Sequence, residues 1–270
     1  MEPAGDSVVL TMDYGKLIGD SFAYAKDGLL GNVGIWIMLL ILTILPVIPI
    51  FGWVFVMILS MNAAPGFLFL AGGIGIAIIL AIILSAFYTG YMLKILRGET
   101  PLPPVVGFGT MFTDGIKYIV IQAIYMIPAI IIFCVTVLPA MLSMWTSVLA
   151  GHTRGEFTPA IMSMLGGILI TVIVAFIFGL FAIIGVVRFA RMGTMGEAFN
   201  LSAILAMIKK IGWVSYIIAL LIMMIIVLVI SIVLGIIPII GGILQFIINP
   251  FIGVFTMRYI CMLYDSAGTA

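Results

Sequence analysis

Between Lys210 and Arg258 the chain carries no charged side chain, although this stretch is long enough to cross a bilayer twice. A helix that crosses the hydrocarbon core needs about 20 mostly apolar residues. Lipid offers no partners to the backbone, so a single segment can span it only as a helix that satisfies its own N–H and C=O groups. Gly212 to Ile236 and Ile243 to Leu263 therefore predict two membrane-spanning helices, joined by the turn IIPIIGG.

Long apolar stretches recur along the rest of the chain. Of its 270 residues, 65% are apolar and only 8% are charged, whereas soluble domains carry roughly 25% charged residues. So few charges cannot cover a water-exposed surface. We predict an all-α, polytopic membrane protein with about six transmembrane helices, at 32–60, 67–92, 119–144, 160–187, 212–236 and 243–263.

Proline interrupts two of these predicted spans. Pro46 and Pro49 fall in the first span, and Pro128 and Pro139 fall in the third. Proline removes a backbone donor and clashes with the preceding turn of a helix. We therefore expect both spans to be kinked or broken.

A short segment that mixes charged and apolar residues at helical spacing precedes each pair of spans. These segments lie at 13–27, 108–118 and 195–210, and the returning spans end alike, in GYMLKILRGE, GVVRFARMGT and GVFTMRYICMLYDSAG. The pattern predicts three hairpins, each preceded by an interfacial amphipathic helix. The predicted organisation is one membrane domain, 1–270, with internal units 13–100, 105–192 and 195–265 and disordered or polar ends at 1–12 and 265–270.

The basic residues are distributed unevenly across the predicted topology. With six spans, ten of the 11 Lys and Arg residues fall on one side, and only Arg154 falls on the other. Cytoplasmic loops carry an excess of Lys and Arg. We therefore predict a multi-pass protein of the cell membrane with both termini in the cytoplasm.

Candidate catalytic groups are scarce in the sequence. The single histidine, His152, has Arg154 and Glu156 beside it but lacks the further ligands of a zinc site and the nucleophile of a triad. Cys134 and Cys261 lie in apolar segments without metal-ligand spacing. We therefore expect no enzymatic activity, no metal and no cofactor.

Three amide side chains lie deep in the predicted spans: Gln122, Gln245 and Asn249. Gln245 and Asn249 are four residues apart and share one helix face, next to Pro250. Polar groups at this depth mark a substrate path in many transporters, or they form hydrogen bonds between helices. Both interpretations of this candidate polar intramembrane site remain open.

Cations collect at the predicted cytoplasmic ends of the helices. They could contact anionic lipid headgroups, or they could serve only to orient the protein in the membrane. The net charge of +1 and the absence of an extended basic face do not predict nucleic-acid binding. The candidate headgroup contacts are Lys94, Arg97, Arg188, Arg191, Lys209 and Lys210.

The segments GYMLKILRGETPLPP, FTDGIKYIVIQAIYMIPA and IIPIIGG…MRYICMLYDSA carry a resemblance to a known family. The chain resembles an uncharacterised prokaryotic, largely archaeal, family of integral membrane proteins of unknown function. More loosely, it is similar to the membrane domain of some glycerophosphodiester phosphodiesterases, without their catalytic barrel. The resemblance implies about six spans and residence in the cytoplasmic membrane, and it assigns no catalytic residue.

Two functions are consistent with these features. The first is a non-enzymatic module that binds membrane lipids, a second copy of itself or a partner membrane subunit, or that organises the bilayer. The second is a channel or permease with a small polar site in the middle of the membrane. The scarcity of polar residues at depth favours the first.

Overall fold

The structure is a computed structural model that describes residues 12–60, 66–149, 158–238 and 240–268. Predictions about residues 1–11, the turn at 61–65, and His152, Arg154 and Glu156 lie outside these ranges. Within them the chain is helical and has no strand. Five helices are long and apolar enough to cross a membrane, or six if the bent pair Tyr14–Leu30 and Val33–Ile44 counts as one span. This confirms the all-α, polytopic fold. The helices are α1 (Tyr14–Leu30), α2 (Val33–Ile44), α3 (Val47–Ser60), α4 (Phe67–Leu96), α5 (Phe108–Ile132), α6 (Leu138–Leu149), α7 (Thr158–Met192), α8 (Leu201–Ile211), α9 (Trp213–Gly235) and α10 (Ile240–Asp265).

Side-chain caps set the first helix boundaries. The Asp13 carboxylate accepts a hydrogen bond from the backbone N–H of Lys16 and begins α1, and Asn32 caps α2 in the same way through Ile35. Such caps satisfy N–H groups that have no partner within the helix. Between these caps, α1 ends at Leu30 with Gly31 as its C-cap, and α1 and α2 meet at 98°. The chain therefore turns sharply before it enters the first span.

The two proline-containing spans behave differently. The first is broken, as predicted, because α2 ends at Ile44 and α3 begins at Val47, on either side of Pro46. In the third, α5 continues past Pro128, and the chain then forms a π-helical segment, Phe133–Val137, just before Pro139. A π turn accommodates the carbonyl that proline leaves without a donor. The third span is therefore distorted rather than interrupted.

The second predicted surface helix is not a separate helix. Residues 108–118 are the first turns of α5, which runs without a break to Ile132. No glycine or proline stands at Tyr118–Ile119 to end the helix. In contrast, Gly212 adopts a φ of +91° between α8 and α9, a conformation that glycine adopts without steric cost. The presence of a helix-breaking residue therefore decides whether a surface segment forms a helix separate from the span that follows.

The C-terminal halves of α4, α7 and α10 pack together and form the centre of the molecule. We call this part of the structure the basic end, because it carries Lys94, Arg97, Arg188, Arg191 and Arg258. Side chains here are buried on nearly all sides of the three helices. Toward the opposite end, the spans expose large apolar side chains, as expected where lipid is the solvent. The fully buried residues at the basic end include Leu93, Ile95, Ile184, Val187, Val254 and Tyr259.

Each central helix contacts a segment that begins at the basic end. α4 packs on α5, α7 packs on the short 3₁₀ helix Met195–Phe199, and α10 packs on α1. The last contact places the first helix of the described chain against its last long helix. The division into three internal units remains a prediction from the sequence.

Two glycines let α4 and α5 approach closely. A Cβ atom on Gly90 would overlap the backbone carbonyl of Met111, and a Cβ on Gly115 would overlap the carbonyl of Ala86. Small residues at helix crossings allow this backbone contact in membranes. The crossing fixes α5 against the central helices.

We expect Gly115→Ala to destabilise the protein, because the new methyl group must displace the backbone of α4. Overpacking of this kind costs about 1–3 kcal/mol. Thermal unfolding in detergent measures the loss. Gly109→Ala is the matched control, since the same helix leaves open space around Gly109. Equal melting temperatures for the two variants would contradict the packing described for α4 and α5.

Candidate functional site

Two arginines at the basic end each donate a hydrogen bond to the helix that carries the other. Arg97 Nε donates to the carbonyl oxygen of Ala190 at 3.2 Å, and Arg191 Nε donates to the carbonyl oxygen of Leu96 at 2.9 Å. The last carbonyls of a helix have no donor within it and carry partial negative charge. Each arginine therefore caps the C-terminus of the neighbouring helix, and the pair fastens α4 to α7.

Carboxylates complete the network around these arginines. Arg97 forms an ion pair with Asp114 on α5. Arg191 Nη2 lies 2.8 and 2.9 Å from the two carboxylate oxygens of Asp265, at the end of α10. Charge-assisted hydrogen bonds of this type are stronger than neutral ones. The network therefore links four helices at the basic end.

Arg188 forms a more buried pair. Its guanidinium contacts the carboxylate of Glu197 in the 3₁₀ helix that follows α7, and only 12% of its side chain is exposed. Its Nε is also buried and has no acceptor among the described residues. The Glu197 carboxylate therefore provides the main electrostatic stabilisation of the buried Arg188 guanidinium.

The cation on α10, Arg258, forms a cation–π contact with an aromatic ring. Arg258 lies over the Tyr24 ring, with 4.6 Å from its guanidinium carbon to the ring centroid. The Tyr24 hydroxyl donates to the backbone carbonyl of Glu99 at 2.8 Å. Burial raises the pKa of the Tyr24 phenol to about 12, so it remains a neutral donor. These contacts connect α1, α10 and the segment after α4.

The predicted headgroup contacts divide into two groups. Arg97, Arg188 and Arg191 have the protein partners described above, and Lys94 Nζ donates to the carbonyl of Val106 at 2.6 Å. Lys209 and Lys210 are exposed at the end of α8, and no described residue pairs with them. Of the six candidates, Lys209 and Lys210 are therefore the two whose side chains have no partner among the described residues.

The fold presents Lys209 and Lys210 beside apolar side chains. Asn200 caps α8 by accepting from the N–H of Ala203, and three isoleucines, at 204, 208 and 211, are buried beneath the helix. On its outer side, Leu201 and Leu205 are 55% and 43% exposed. Trp213, just after α8, is 40% exposed. We call Leu201, Leu205, Lys209, Lys210 and Trp213 the α8 patch.

The predicted polar intramembrane residues lie on two separate helices. Gln122 is on α5, partly buried, and its Oε1 accepts no hydrogen bond from the described residues. Gln245 and Asn249 are on α10, partly buried and exposed respectively. Both helices pack on α4, and α5 and α10 are not principal neighbours in the described part of the chain. A shared site for the three amides remains a prediction.

The two cysteines lie in different environments. Cys134 is exposed on the π-helical segment, and Cys261 is buried with its Sγ 3.2 Å from Arg191 Nη2. In the described ranges no three His, Cys, Asp or Glu residues lie close enough to hold a metal ion. Cys261 thus belongs to the packing of the basic end.

Sequence reasoning missed the acidic partners of the arginines. Asp114, Glu197 and Asp265 are 17, 9 and 74 residues from the arginines they contact. None has the spacing of three or four residues that marks a pair on one helix face. A weak signal was present: each carboxylate lies close to a predicted membrane boundary, where a charge needs a partner or water.

Comparison with known proteins finds one family. A model described as "Protein of unknown function (DUF4013)" matches residues 73–239, more than half of the chain. No curated protein and no solved structure matches. The archaeal distribution and the similarity to phosphodiesterase membrane domains remain expectations from the sequence.

We expect Glu197→Gln to lower the melting temperature, because it leaves the Arg188 cation without its carboxylate. Breaking a buried pair costs about 3–5 kcal/mol, and partial exposure of Glu197 reduces this to about 2–3 kcal/mol. Glu99→Gln, which removes an exposed carboxylate elsewhere at the basic end, is the control.

A second variant separates the lost pair from general damage. Because Arg188→Met combined with Glu197→Gln removes both charges, it should be more stable than Glu197→Gln alone. If the double variant is the less stable of the two, the pair is not what holds this helix end.

Proposed function

The chain belongs to the DUF4013 family of proteins of unknown function, and we propose that it is a non-enzymatic membrane module that binds anionic lipid headgroups at its basic end. The α8 patch is the observation that supports this proposal. It combines two cations that have no described partner with exposed leucines and a tryptophan. A helix with this composition is typical of the membrane interface.

The distribution of side chains around α8 supports a position at the level of the headgroups. The helix is fixed to the protein by its buried isoleucines, and its outer side offers Leu201 and Leu205 next to Lys209. Leucine side chains enter the outer hydrocarbon, and a lysine beside them reaches back to the phosphates. Trp213 has the amphipathic ring that prefers this depth.

The pairing of the other cations supports the choice of this patch. Ion pairs and helix carbonyls already occupy the arginines at the ends of α4 and α7. A cation near an anionic surface contributes about 1 kcal/mol. Two such lysines favour an anionic lipid by about 2 kcal/mol, which is roughly thirtyfold in affinity.

The direction of insertion is part of the proposal. The positive-inside tendency places the basic end in the cytoplasm, where anionic lipids are concentrated. The α8 patch then faces the leaflet that contains its ligand. In this arrangement the surface helices α1 and α8 lie around the cytoplasmic ends of the spans as interfacial amphipathic helices.

The test is a lipid titration of the purified protein in a neutral detergent. Native mass spectrometry counts bound phosphatidylglycerol and, in parallel, phosphatidylcholine. The wild-type protein should prefer phosphatidylglycerol. Lys209→Gln combined with Lys210→Gln should reduce that preference by about thirtyfold, because both contributions are lost.

The matched control removes two lysines from α1. Lys16 and Lys26 are exposed, but Asp13, Asp20 and Asp27 each lie within four residues of one of them in the sequence, and Lys26 Nζ is 3.9 Å from Asp27 Oδ1. Lys16→Gln combined with Lys26→Gln therefore changes the net charge equally and should leave the lipid preference within about threefold of wild type. An equal loss in both double variants, or a loss in neither, would contradict headgroup binding by the α8 patch.

A further inference from the structure

We propose that the groove between α3 and α4 binds one tail of a membrane lipid, in the leaflet opposite the basic end. The groove has a volume of about 550 Å³ and its walls are almost entirely apolar. Ligand sites in proteins typically measure about 300–1,000 Å³. Pro49, Gly52, Trp53 and Val56 line it on α3, and Phe69, Gly72, Gly73 and Leu80 are among the residues that line it on α4.

The groove has the length of one leaflet. Its lining on α4 extends from Phe69 to Leu80, which is about 16 Å at the helical rise per residue. Half of the hydrocarbon core of a bilayer is about 15 Å. A single lipid that lies along α4, with its tail on the inner part of the groove, therefore fits without leaving its own leaflet.

The depth of the groove places one end at the headgroups. Lys94 marks the basic end of α4, and Gly73 lies 21 residues before it, or about 32 Å along the helix. That distance matches the hydrocarbon thickness of about 30 Å. The groove therefore begins at the level of the headgroups, at Phe69, passes Gly73 near the edge of the hydrocarbon and continues inward to Leu80.

Trp53 supplies a polar group at that surface. Its indole lies against Gly73, where a Cβ atom would overlap it, and its ring centroid is 5.0 Å from that of Phe69. The N–H of Trp36 donates to the Ile247 carbonyl, whereas the N–H of Trp53 has no acceptor among the described residues. Trp53 is partly buried, and a tryptophan at a membrane surface keeps its ring in apolar surroundings while its N–H reaches a polar group. The oxygen that joins a lipid tail to its glycerol backbone is available at this depth.

Glycine residues create the space that the tail occupies. Gly52 and Gly72 leave open space at the position of a Cβ atom. A leucine at Gly72 would fill the groove without first displacing backbone. Gly75, on the same helix, also has open space around it but is not part of the groove lining.

The experiment uses the protein in nanodiscs with phosphatidylcholine that carries a photoreactive diazirine on its palmitoyl tail. Mass spectrometry locates the labelled peptides after illumination. We expect label to concentrate on residues 47–60 and 69–80, and Gly72→Leu to reduce it there at least fivefold. Gly75→Leu should leave the labelling unchanged. Trp53→Phe should reduce it through loss of the N–H, even if Gly72→Leu proves too unstable to purify.

Three results would overturn the proposal. The label could distribute over all spans in proportion to their exposed area, or Gly75→Leu could reduce it as much as Gly72→Leu. The label could also be excluded from the groove while cross-links between two copies form there. Because phosphatidylcholine is neutral, none of these results depends on headgroup binding by the α8 patch.

Discussion

The reciprocal capping of α4 and α7 by Arg191 and Arg97 holds the centre of the protein together. The residues around these two helix C-termini, such as Leu96 and Ala190, are buried, so their unpaired carbonyls need donors from the protein. Here each donor comes from the other helix. Asp114 and Asp265 neutralise the two guanidinium groups and extend the contact to α5 and α10. The basic end is therefore both an electrostatic network and a structural anchor.

The contrast between the two ends of the molecule follows from their solvents. At the basic end, buried apolar side chains and ion pairs surround the helix termini, as in a small soluble core. Toward the opposite end the helices face lipid, which competes equally well for apolar contacts. We propose that the groove between α3 and α4 persists there because a lipid tail fills it. Both proposed sites lie where the protein meets a defined layer of the bilayer.

The sequence predicted the features that depend on neighbouring residues in the chain. Charge-free stretches located the spans, and Pro46 located the first break. The separate helix expected at 108–118 was wrong because nothing between Tyr118 and Ile119 interrupts α5. Contacts between distant residues, such as Arg191 with Asp265, leave no periodic pattern and could not be predicted. Of the six headgroup candidates, only tertiary packing distinguishes the paired arginines and Lys94 from the unpaired Lys209 and Lys210.

A double-mutant cycle on Arg97 and Arg191 tests the central contact most directly. The free energy of unfolding is measured for Arg97→Gln, Arg191→Gln and the double variant. If the two arginines form one unit, the double variant loses less stability than the sum of the single losses, with a coupling of about 1–2 kcal/mol. Losses that add within about 0.5 kcal/mol would show that the helix ends are held independently, and would contradict the account.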